Sequence, residues 1–142
     1  MKTILLSAFL LAFVACNDGV QEQKSETKKE TSSEKMLEAT TYAKVKEGMK
    51  NNQATFLEFG STHCKSCIEM DRLLYQIKEK NSKSNIFFID IYSEKEATKT
   101  YKIRMIPTQV FLDKEGKEVY RHVGKLESKE LNRLLKERGV IE

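Results

Sequence analysis

Apolar and polar positions divide this chain into three stretches. Behind a single cation at Lys2, residues 4–15 are apolar except for Ser7, and residues 17–35 are nearly all Glu, Lys, Ser, Thr and Gln with one Val and no aromatic residue. From Met36 onward the apolar positions become periodic. Leu37, Tyr42, Val45 and Met49 recur at helical spacing and stop at Asn51-Asn52, which predicts a helix over 37–49. Residues 54–59 read as a strand. Ile68, Met70, Leu73, Leu74 and Ile77 mark one face of a helix that opens at Cys64-Lys65-Ser66-Cys67 and runs to about Lys80. The unbroken run Ile86-Phe87-Phe88-Ile89-Asp90-Ile91 predicts a strand covered on both faces. A short helix is expected over 93–101, capped by Ser93 with Glu96 at the capping-box position. Two strands, 108–112 and 117–123, form a hairpin around Asp113-Lys114-Glu115-Gly116, and a last helix over 128–138 is capped by Ser128 and stopped by Gly139.

A strand, a helix and a second strand in succession imply a parallel pair joined by a crossover, and the hairpin adds antiparallel strands beside it. The predicted class is therefore α/β, a small mixed β-sheet flanked by helices. Residues 36–142 suit one domain with a modest core.

The first two stretches predict a destination. Residues 1–15 have the charged start, apolar middle and small-residue end of a secretory signal, and are too short to span a bilayer comfortably. Phe13-Val14-Ala15-Cys16 resembles a bacterial lipobox, although Phe13 stands where Leu is usual. The resemblance implies cleavage before Cys16 and lipid on its thiol; a plain secretory signal with a spare cysteine is the alternative. Residues 16–35 then read as a flexible tether, about 60 Å long at full extension. Of the formal charge of +4, the domain carries all the surplus, since signal and tether offset each other. A dispersed solvated surface accounts for that surplus, and the balanced tether does not resemble a nucleic-acid arm. The expected location is the bacterial cell envelope, periplasmic or extracytoplasmic, anchored by lipid.

Chemistry concentrates at Cys64 and Cys67. Two thiols two residues apart at a helix start can close into a disulfide and reopen. The helix dipole and Lys65 favour the thiolate at Cys64, the expected nucleophile. A lone C-x-x-C is also compatible with half a zinc site or an inert bridge. Zinc needs four ligands, and the chain otherwise offers Cys16, His63 and His122 with no second knuckle. With Cys16 lipidated, Cys64 and Cys67 form a self-contained pair in an oxidising space, suited to exchange. Gly60-Ser61-Thr62 lacks the spacing of a phosphate-binding loop, and no cofactor is expected.

Phe-Leu-Glu-Phe before Cys-Lys-Ser-Cys, Ile-Arg-Met-Ile-Pro-Thr at 103–108 and His-Val-Gly-Lys-Leu at 122–126 together resemble the thioredoxin family over residues 40–138. The tether and the Glu-containing strand look most like exported TlpA-like thiol reductases and the C-terminal domain of transmembrane disulfide reductases. The resemblance implies a thioredoxin-like fold and a thiol-disulfide oxidoreductase with Cys64 attacking and Cys67 resolving. It implies a cis Ile106-Pro107 bond, with Ile106 and Pro107 contacting an extended substrate beside His63 and Lys65, and the proline ring helping to exclude metal. It also implies that Glu58, on the face of Phe56 and Gly60, is a buried acid taking the Cys67 proton; exposure at a sheet edge is the alternative.

Departures are His63 in place of the family's Trp and Lys65-Ser66 in place of Gly-Pro. His63 could stabilise the thiolate, bind metal or lie on the surface. His122 reads as structural or exposed, Met105 and Tyr120 as packing. The expected partners are disulfide-bonded exported proteins, among them apocytochrome c or its maturation factors, together with a membrane electron donor; a monomer is expected. The competing functions are a disulfide-donating oxidase and a metal carrier using Cys64, Cys67 and His63.

Overall fold

A computed structural model describes residues 35–142. The expected signal, the lipidated Cys16 and all of the tether but Lys35 lie outside the described residues. Strand β1 (Thr55–Gly60) is central in a sheet ordered β2-β1-β3-β4, where β2 is Asn85–Asp90, β3 Thr108–Leu112 and β4 Glu118–Val123. β1 pairs parallel with β2 and antiparallel with β3, which pairs antiparallel with β4. This is the mixed sheet that the element order predicts, and helices flank it.

Alternation along β1 decides which helix packs where. Phe56 faces a core cluster with Met70, Leu74 and Ile77 of α2 (Lys65–Lys80) and Leu131, Leu134 and Leu135 of α4 (Ser128–Glu137). Leu57 and Phe59 point to the opposite face, against Tyr42 and Val45 of α1 (Tyr42–Gly48) and Ala97 of α3 (Lys95–Thr100). The sheet is thus sandwiched between two apolar layers, and every residue of β1 is buried.

Three predicted helix starts shift. The first helix begins at Tyr42, five residues after Leu37, because the Thr41 side chain accepts a hydrogen bond from Lys44 N at 3.4 Å and caps it there. Residues before it run extended along β2, where Ala39 bridges Phe88 and Thr40 N donates to Phe88 O at 2.8 Å. Ser93 does not cap α3, whose N-cap position is Glu94. Its hydroxyl donates to Asp90 O at 3.3 Å instead, while Asp90 Oδ1 accepts from Tyr92 N and Ser93 N. Ser128 is likewise the first helical residue of α4 rather than its cap, which is Glu127.

The hairpin forms as expected. Asp113 Oδ1 accepts from Glu115 N and Lys117 N, and Gly116 takes φ +80°, a conformation that glycine adopts without strain.

Candidate active site

β1 and β2 end, and β3 begins, at one end of the sheet, since Gly60 lies opposite Asp90 and Phe59 opposite Thr108. The loop after β1 delivers Cys64 to that end, and the segment before β3 delivers Ile106 and Pro107 to it. The Ile106–Pro107 peptide bond is cis, and Pro107 is buried.

Cys64 is the N-cap of α2 and is joined to Cys67 by a disulfide with Cα atoms 5.2 Å apart. Its Sγ accepts from Cys67 N at 3.3 Å and lies 3.3 Å from Ser66 Oγ. A helix amide and a hydroxyl therefore already face the sulfur that would carry negative charge in the dithiol form. Cys64 is part-exposed, whereas Cys67 is fully buried, so an incoming disulfide reaches Cys64 first. Gly60 permits this packing: a Cβ there would lie 3.0 Å from Cys67 Cβ and 3.0 Å from Phe88 Cε2.

The residues around the pair separate into an exposed rim and a buried floor. His63 and Lys65 are exposed. The His63 amide donates to Ser61 Oγ at 3.2 Å, and its Nδ1 lies 3.4 Å from Thr62 Oγ1. Among the described residues no three His, Cys, Asp or Glu side chains are grouped as a metal site. His122 is half-buried on β4 opposite Gln109.

Glu58 sits in the floor with no exposed surface, inside the central strand and not at an edge. Its neighbours across the sheet are Phe88 on β2 and Gln109 on β3, and Gln109 Nε2 donates to Glu58 Oε1 at 3.4 Å. Burial pushes the Glu58 carboxyl well above its usual range; the Gln109 hydrogen bond opposes this, and the charge of Asp71 adds to it.

Asp71 and Gln109 are site residues that the sequence reading missed. Asp71 is one helical turn beyond Cys67 among the buried residues of α2, is 2% exposed, and has its carboxyl pushed up to about 7 by burial. Their signals were present: i, i+4 spacing from Cys67 for the acid, and a polar residue in the apolar run before Val110-Phe111-Leu112 for Gln109.

Beside Ile106 opens a cleft of about 250 Å³ lined by Ile91, Tyr92, Ile103, Arg104 and Met105. Met105, read as packing, is 63% exposed there, and Tyr92 is 61% exposed. Tyr120 does pack, edge-on against Phe111. A larger cleft of about 570 Å³ includes Ala54 and Ser84, at the opposite end of β1 and β2, and none of the reactive residues line it.

Comparison with known proteins agrees with this geometry. The family described as thioredoxin-like domain matches residues 41–139. Thioredoxin-1 of Drosophila melanogaster is 39% identical over 57 residues, which are 39% of this chain and 53% of that protein, so the match spans about half of the curated relative. Among solved structures, an N21Q mutant thioredoxin from Halobacterium salinarum NRC-1 superposes with a TM-score of 0.64 at 18% identity, covering 75% of this chain and 92% of that one. Fasciola hepatica thioredoxin gives 0.63 at 21% identity, covering 72% and 99%. A redox-capable C-x-x-C at a helix start, on a mixed four-stranded sheet flanked by helices, is the chemistry of a thiol-disulfide oxidoreductase. The chain belongs to the thioredoxin-like domain family.

Proposed function

We propose that the protein is an exported thiol-disulfide oxidoreductase that works in the reducing direction, akin to the TlpA-like reductases, on disulfides of other exported proteins. The observation that carries this reading is the asymmetry of the pair: a reachable Cys64 sulfur faced by a helix amide, and a buried Cys67 on the helix that also carries a buried carboxyl. In the dithiol form the Cys64 thiolate attacks a partner disulfide and gives a mixed disulfide. Cys67 then attacks Cys64, its proton passing to Glu58, and the partner leaves reduced. We assign contact with an extended substrate segment to Ile106 and Pro107, which precede β3 at the end of the sheet where Cys64 lies, and to the exposed His63 and Lys65 beside it. Because the pair ends oxidised, a membrane electron donor must restore it. The apolar, lipobox-like residues 1–16 support export and anchoring through Cys16.

The test uses the reduced full chain and a protein disulfide such as that of insulin. Wild type reduces it, and Cys64→Ser does not; reduction by Cys64→Ser at the wild-type rate would sink the proposal. Direction is read from the reduction potential. A value near or below the roughly −270 mV of thioredoxin supports a reductase, and one well above it an oxidase.

A further inference from the structure

The end of the sheet away from the disulfide carries charge that the thiol chemistry does not use. Lys80, Lys83 and Lys114 line the cleft of about 570 Å³ there, and Glu142 is the one acidic side chain in its lining. All three lysines are exposed. Among the described residues no carboxylate pairs with any of them, whereas Lys46, Lys50 and Lys125 each hold one. Three separate turns fix their backbone positions. Lys80 is the last residue of α2, Lys83 lies in the turn that Ser84 N closes on Asn81 O at 2.9 Å, and Lys114 lies in the hairpin that Asp113 organises. Ala54, Val140 and Ile141, all buried, supply the apolar part of the lining.

The charge therefore sits at the tips of long exposed side chains on an open rim, and not on a buried group aimed into the cleft. That suits a surface of many anions better than one captured anion. The path of the chain indicates which surface. Lys35 Nζ lies over the Tyr75 ring at 5.8 Å, and Ala39 bridges Phe88 in the parallel sense, so the residues before Ala39 lead toward the Asn85 end of β2. The cleft opens at that same end. Residues 17–34 separate Cys16 from this point, a reach of about 60 Å at full extension.

We propose that this end of the domain docks through Lys80, Lys83 and Lys114 on an anionic phospholipid surface, leaving Cys64 and Cys67 at the other end turned away from the bilayer toward exported partners. The choice of occupant rests on the anchoring through Cys16 proposed above; the charge of the face does not. Attraction acts within a Debye length of about 8–10 Å, so it is gained only when the lysine end is turned to the headgroups. Each lysine there favours the docked state about fivefold, and the three together on the order of 10²-fold.

The experiment places the full chain on phosphatidylcholine vesicles and on mixed phosphatidylcholine–phosphatidylglycerol vesicles. The rate at which each lysine reacts with an amine-reactive ester is then read by peptide mass spectrometry. Lys80, Lys83 and Lys114 are expected to react about fivefold or more slowly on the mixed vesicles, with Lys65 and Lys95 alike on both, and about 1 M salt should remove the difference. Lys83→Gln is expected to raise the reactivity of Lys80 and Lys114 on the mixed vesicles by up to about fivefold and to leave insulin reduction at the wild-type rate. Equal reactivity on the two kinds of vesicle, or slowing shared by Lys65 and Lys95, would overturn the docking face. Protection in solution as strong as that on the vesicles would overturn it too, marking a free-anion site if inorganic phosphate gives it and an acidic protein partner if polyglutamate does. A chain that fails to float with the neutral vesicles overturns the anchoring alone, because reactivity on the mixed vesicles is then compared with that in solution. Failure of wild type to reduce insulin overturns the reductase reading alone, since docking needs no turnover.

Discussion

Cys64 and Cys67 have unequal surroundings, and their variants differ accordingly. Cys67→Ser keeps the attacking sulfur and loses the resolving one, so it is expected to accumulate a covalent complex with a disulfide substrate, visible as a gel shift that reductant reverses. Glu58→Gln removes the base and keeps the side chain's shape. It should leave the first attack intact and slow resolution on the order of 10²-fold, measured by stopped flow. The floor also has a stability signature. The Glu58 and Asp71 carboxyls are both raised in the folded chain, Asp71 from 3.8 to about 7. Their contribution is fully present below the unfolded values and is lost as pH rises through the folded ones. Urea midpoints should therefore fall as pH rises from about 3.8 to about 7, the window that Asp71 sets, and Asp71→Asn should flatten the fall. The cysteine pair was legible from its spacing, and the burial of Glu58 was an expectation from the family resemblance that its place in the central strand meets. Asp71 was overlooked although it lies between Met70 and Leu74 of the predicted apolar face, because an Asp on a helix otherwise rich in Glu, Lys and Arg reads as solvated.

Strands and helices were read correctly in kind and order, since each depends on its own periodicity. Their starts were read less well, because a cap depends on where neighbouring side chains go. Ser93 has the composition of a cap, but Asp90 organises that turn and Glu94 Oε2 instead accepts from Tyr42 N at 3.1 Å. Leu37 fits a helical period, yet it packs on the α2–α4 side while Tyr42 packs on the other, so one helix cannot contain both. Thr41→Ala is expected to cost about 1 kcal/mol in urea unfolding, the usual value of an N-cap. Gly60→Ala presses on Cys67 and Phe88 at 3.0 Å and should cost about 1–3 kcal/mol, with a displaced reduction potential as the second readout.

Across residues 35–142, a sheet with a full apolar layer on each face makes the centre of either layer expensive to empty. Phe56 has no exposed surface and stacks edge-on with Phe111 at 4.9 Å between ring centres. Phe56→Ala is expected to cost about 3–5 kcal/mol by denaturant unfolding. Coverage of the sheet on both faces was legible in the unbroken apolar run of 86–91, whereas the cleft beside Ile106 was not, because Tyr92 and Met105 come from segments that meet only once the sheet has formed. The bridge between Ala39 and Phe88 has a mechanical consequence. It lies between residue 35 and α1, so tension applied through the preceding residues reaches the Thr40 N–H···O Phe88 bond before it reaches α1 or β1. Peeling that bond frees a few residues of slack and leaves α1 capped by Thr41. A domain held by its N-terminus would thus yield first at an edge remote in sequence from its cysteines, and a pulling experiment should record a small, reversible extension ahead of the main rupture.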